Sequence, residues 1–144
     1  MSYSTIVVGT DGSESSLLAV RRAAALAAAF DATLIIGCAY YADQDAAVQA
    51  VRMDSKTVVG DSPAQQNLES AVAAAKEEGC TSVETAIKAG SPVEALMGIV
   101  TDVKADLLVV GNRGINSLTG RLLGSVPADV ARQSDCDVMI VHTV

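Results

Sequence analysis

The chain has 144 residues, 50% of them hydrophobic, and a formal net charge of −7. That length fits one domain, residues 1–144, with room for a sizeable core. The acidic balance opposes any long phosphate backbone, whose binding needs a basic surface that releases counterions, so nucleic acid is not an expected partner. With one Phe, three Tyr and no Trp, the core must be aliphatic. No stretch supplies about 20 uncharged apolar residues to span a membrane, and the opening MSYSTIVVGTDGS shows no basic leader with an apolar run, so a cytoplasmic location is expected.

The first element is the apolar run TIVVGT at 5–10, followed by a helix over Ser13 to Phe30 whose stripe Leu17, Val20, Ala24 and Ala27 has helical spacing. ATLIIGCAY at 32–40 is a second strand. Tyr41 to Asp61 is polar and too long for an ordinary connector; it is either a lid over a site at the strand's carboxyl end or a simple excursion. Ser62-Pro63-Ala64-Gln65 reads as N-cap serine, proline at the first helical position and a capping glutamine, and the helix it opens runs to Gly79. SVETAIKA at 82–89 alternates Val83, Thr85 and Ile87 with polar neighbours, as an edge strand does. Ser91-Pro92-Val93-Glu94 opens a helix in the same way as Ser62. ADLLVVG at 105–111 and CDVMIVHT at 136–143 complete the strands; like the first two runs they are nearly continuous in apolar residues, as strands buried on both faces are. The alternation predicts an α/β fold with a parallel sheet.

Cys38, Cys80 and Cys136 are odd in number and form no C-x-x-C pair, which suggests free thiols rather than disulfides or a zinc site. With His142 the single histidine, a His-based triad or multi-His metal site has no residues to build it, and no metal held by side chains alone is expected.

The chemistry concentrates in GNRGINSLTGRLLGS, Gly111 to Ser125, spaced G-x2-G-x9-G-S after a strand. Gly111 ends the strand and Gly114 closes a sharp turn, where the missing Cβ lets backbone N–H groups approach an anion. Gly124 and Ser125 then open a helix to Gln133, with Ser125 as N-cap and Pro127 in the first turn, so its free N–H groups and dipole face the same place. The segment is neither a Walker A loop nor a G-x-G-x-x-G fingerprint. The plainer alternative is that the glycines only make turns and Ser125 only caps. Arg113 and Arg121 are candidate phosphate contacts.

G-x2-G-x9-G-[S/T] after a hydrophobic strand resembles the nucleotide-binding signature of the universal stress protein family, and TIVVGTDGSESS, ATLIIGCAY and RLLGSVPADVARQSDCDVMIVH resemble its first strand and turn, second strand, and last helix and strand. The wording is similar to actinobacterial members, some of which bind cyclic AMP. The resemblance implies a Rossmann-like three-layer α/β/α fold with sheet order 3-2-1-4-5, and an adenine nucleotide where strands one and four diverge. It implies Gly9, Thr10 and Asp11 at the end of strand one, with Asp11 on the ribose hydroxyls, and Ala39 reading the adenine edge through its backbone. Gly111 would lie near the ribose, with Gly114, Gly124, Ser125 and Val126 around the phosphates. From the residues alone, Asp11-x-x-Glu14 is equally a capping box. ATP, with Mg2+, and cyclic AMP are both expected to bind in a regulatory role. The alternative is a slow ATP hydrolase or phosphotransferase, for which no positioned base is evident. A receiver domain of the response-regulator type is excluded, since strand three ends in Lys88-Ala89-Gly90 rather than an acidic residue. A homodimer through the last strand is also implied.

Overall fold

A computed structural model describes residues 2–43, 58–112 and 125–143. The elements alternate as β1 (Thr5–Gly9), α1 (Glu14–Phe30), β2 (Thr33–Tyr40), α2 (Asp61–Glu77), β3 (Val83–Ala89), α3 (Pro92–Val103), β4 (Leu107–Gly111), α4 (Ser125–Gln133) and β5 (Asp137–Val141). All strand pairs are parallel, in the order β3-β2-β1-β4-β5, as expected. Alternate side chains of the three inner strands feed two aliphatic layers. Ile6, Val8, Leu34, Ile36, Leu107 and Val109 pack under α1 and α2. Val7, Ile35, Leu108 and Val110 pack under α3 and α4. Burial on both faces explains why these runs read as continuous apolar stretches.

The helix ends show where short-range signals hold. Ser13 caps α1 by accepting from Ser16 N, and Ser91 caps α3 by accepting from Glu94 N, with Pro92 at the first position. The expected cap at Ser62 is not made. Helix α2 starts at Asp61 behind Gly60, which has φ 82 and no side-chain cap. Gly60 is held from behind, its N–H donating to Tyr41 O at 2.8 Å, so the chain turns into the helix before Ser62. Ser125 likewise is not outside its helix but is the first residue of α4. The last run reads like a strand buried on both faces, yet β5 lies at the sheet edge with Ile140 38% exposed, where the order 3-2-1-4-5 implied by the resemblance puts it. Strand β3 occupies the other edge, as its alternation predicts. The cysteines are free, Cys38 and Cys80 buried and Cys136 half-buried; burial pushes the Cys80 thiol up. Among the described residues no helix is long and apolar enough to cross a membrane.

Candidate nucleotide cleft

Helices α1 and α2 cover one face of the sheet and α3 and α4 the other, so the connections leaving β1 and β4 diverge at their carboxyl ends. Divergence of this kind opens a crevice at the switch point of the strand order. There a cleft of about 750 Å³, counted with the solvent space at its mouth, lies between the ends of β1, β2 and β4 and the start of α4. Of the residues expected at the site, Gly9, Thr10, Asp11, Ala39, Gly111 and Val126 line it. Ser125 is close in sequence but exposed and not among the described lining residues. Gly114, Gly124, Arg113 and Arg121 lie outside the described residues, as does most of the 41–61 stretch.

The turn from β1 into α1 is tied by hydroxyls. Thr10 N–H donates to Gly37 O at 2.9 Å, which locks the end of β1 to β2. Gly12 N–H donates to Thr10 Oγ1 at 3.1 Å and Asp11 N–H to Ser16 Oγ at 3.3 Å. Asp11 Oδ1 accepts from Ser13 N–H at 2.9 Å. The alternative role of Asp11 as helix cap is thereby settled against, because Ser13 holds the cap position. Asp11 folds the turn that precedes the helix, an Asx-type arrangement, and lines the cleft.

The other half of the cleft is apolar. Ala39, Tyr41, Val58, Pro92 and Leu96 line it. Tyr41 and Val58 are the clamped ends of the long stretch after β2: Tyr41 N–H donates to Val58 O at 2.8 Å, and Tyr41 pairs with Val59. Length alone marked that stretch as unusual, but nothing local showed that its two ends form a wall. Ser15 and Ser16 also went unmarked as lining residues, although a serine-rich first helical turn was a usable signal. Asp11 is the one carboxylate among the described lining residues, and no Lys or Arg is among them. No group of metal-ligating side chains occurs among the described residues.

The described lining thus combines an apolar group, Ala39, Tyr41, Val58, Pro92 and Leu96, with several hydroxyls and one carboxylate. The model of the universal stress protein family matches residues 2–142. A universal stress protein of Mycobacterium tuberculosis strain H37Rv is 48% identical over 143 residues, covering 98% of this chain and 97% of the relative. The crystal structure of a universal stress protein in complex with cAMP is 47% identical, covers 100% of both chains and aligns with TM-score 0.79. A universal stress protein from Archaeoglobus fulgidus in complex with dAMP has the same fold, with TM-score 0.70 at 21% identity over 97% of this chain and 98% of that one.

Proposed function

This chain belongs to the universal stress protein family, and on that footing we propose that its cleft binds an adenine nucleotide in a regulatory role. The observation that carries the reading is the two-sided lining at the switch point: Ala39, Tyr41, Val58 and Leu96 offer an apolar slot for a base, and Thr10, Asp11, Ser15 and Ser16 a polar wall for a sugar. A 47%-identical relative in complex with cAMP supports it. In this reading the backbone of Ala39 meets the adenine edge, Asp11 accepts from a ribose hydroxyl, and Gly9 and Gly111 let the ligand approach the strand ends. Gly114, Gly124, Ser125 and Val126 surround the phosphates at the start of α4, whose dipole favours an anion. A hydrolase would need a second positioned group, and Asp11 is the sole carboxylate among the described lining residues.

Charge bears on the choice of nucleotide. An acidic chain whose described cleft lining carries no basic side chain suits one phosphate better than three, unless magnesium or Arg113 and Arg121 offset the charge. Cyclic AMP and ATP are both expected to bind, and ATP to displace cyclic AMP only with magnesium present. Asp11→Ala is expected to weaken both about tenfold, the value of one charge-assisted hydrogen bond. Competition calorimetry with and without magnesium checks this; failure of both nucleotides to bind at millimolar concentration overturns the reading.

A dimer through β5 accompanies it. An edge strand with Ile140 38% exposed presents unpaired backbone groups, and pairing across a two-fold axis would cover them. Ile140→Lys is expected to give a folded monomer in sedimentation, whereas charge at Val141, 4% exposed inside the core, tests folding instead. A wild-type monomer at micromolar concentration counts against the dimer.

A further inference from the structure

Where the cleft meets the sheet, two neighbouring strands carry no side chain on one face. Gly9 and Gly37 are partners across β1 and β2, and they fall two residues beyond Val7 and Ile35, which pack under α3 and α4, so both face that layer. Ala86, opposite Gly37 in β3, is small as well. Helix α3 fills the space. Its Val93, Leu96, Ile99 and Val100 are buried at helical spacing, and the tip of Leu96 lies over both glycines. A Cβ built on Gly9 would be 3.0 Å from Leu96 Cδ2 and 3.1 Å from Leu96 Cδ1, and one built on Gly37 would be 3.7 Å from Leu96 Cδ2. Ile99 takes the next place inward, its Cδ1 2.8 Å from a Cβ on Gly37. Gly9, Gly37 and Leu96 line the cleft, whereas Ile99 is not among the described lining residues. The start of α3 is held in place, since Gly90 N–H donates to Tyr40 O at 2.8 Å and Ser91 caps the helix. A single side chain therefore separates the cleft from bare strand backbone.

We propose that Leu96 is a specificity-determining residue that sets the depth of the base slot, so that the cleft takes a purine with a plain amino group and refuses one enlarged there. This rests on the nucleotide reading above, in which the adenine edge meets Ala39. Ala39 is two residues along β2 from Gly37 and on the same face, so a group added to the exocyclic nitrogen of that edge runs toward Leu96. The leucine has nowhere to go. It cannot retreat toward β1, where even the single carbon of a Cβ on Gly9 would crowd it, and Ile99 holds the next place in the layer. Discrimination by a filled apolar pocket is steep, about 10- to 200-fold for one methylene. Shortening Leu96 leaves a hollow that opens into the cleft over the two glycines, with room for the added group.

The test measures the affinities of adenosine monophosphate and its N6-benzyl derivative by calorimetry, with folding checked by circular dichroism. The wild type is expected to bind the benzyl compound about tenfold or more weakly than the parent, and in Leu96→Ala the gap should close to about threefold or less. Leu96→Val, which keeps more of the packing, should move the gap the same way by less. Ile99→Ala empties the same layer away from the described lining and should keep the wild-type gap. Adding Gly9→Ala to Leu96→Ala puts a carbon back into the hollow and should reopen it. A gap that persists in the folded Leu96 variants, or that closes equally in Ile99→Ala, overturns the proposal while leaving nucleotide binding intact, as does a wild type that binds both compounds alike. A wild type that binds neither compound overturns the nucleotide reading and this proposal with it.

Discussion

Gly12→Val is expected to weaken nucleotide binding by about a hundredfold or more, by adding backbone strain of about 1–3 kcal/mol and displacing several wall residues at once. Gly12 has φ +85, a conformation β-branched residues avoid, and a Cβ there would sit 2.3 Å from Asn67 Oδ1. The strain cannot be relieved locally, because Gly12 N–H is bonded to Thr10 Oγ1; the collision is with the end of the Asn67 side chain, whose amide is 3.9 Å from Cys38 Sγ and which must swing aside. The turn must open, taking with it the Asp11 contact to Ser13 N–H and the hydroxyls of Thr10 and Ser16. Gly12→Ala should act in the same direction with smaller effect. Pairing it with Asn67→Ala should recover part of the loss by removing the collision while leaving the strain. Calorimetry alongside circular dichroism checks this. Unchanged affinity in a folded Gly12→Val protein would show that the β1 to α1 turn is not part of the ligand wall.

Much of the fold was legible because its signals are local. The apolar runs of β1, β2 and β4 are continuous since both faces are buried, and Ser91 caps its helix by a short-range hydrogen bond, as expected, whereas on the first helix the cap is Ser13 rather than the candidate Asp11. Where the local signal failed, a tertiary contact had overridden it. Ser62 lost its cap role to Gly60, whose N–H is held by Tyr41. The last strand has the same aliphatic composition as a central one, and only sheet order shows that it is an edge.

The site divides along the same line. Gly9, Thr10 and Asp11 are placed by the family resemblance of the TIVVGTDGS segment, and Gly111 by the glycine-rich run that follows its strand; all four line the cleft. Tyr41 and Val58 lie at opposite ends of a long stretch and meet only through backbone pairing. Ser15 and Thr143 are 128 positions apart, and no periodicity or spacing connects them. Such contacts depend on α1, β4 and β5 being brought to one end of the sheet, which is a property of topology.

Leu108→Ala is expected to cost about 2–5 kcal/mol of stability, a large share of the roughly 5–15 kcal/mol of a typical domain. Leu108 is fully buried in the layer under α3 and α4 with Val7, Ile35, Ile99 and Val130. It sits in β4 opposite Val7 on one side and Val138 on the other, so central strands cannot easily close over the space its side chain leaves. At this chain length the melting temperature should fall by roughly 5–15 °C. The residue does not line the cleft, so its effect should be separable from binding. A nucleotide at a hundred times its Kd stabilises the folded state by about 2.7 kcal/mol, and that increment should be the same in wild type and variant. Urea unfolding with and without ligand measures both quantities. A loss under about 1 kcal/mol would mean that the sheet repacks around the gap more completely than cores generally do. A smaller ligand increment in the variant would show instead that the strand interior and the cleft at its carboxyl end are mechanically joined.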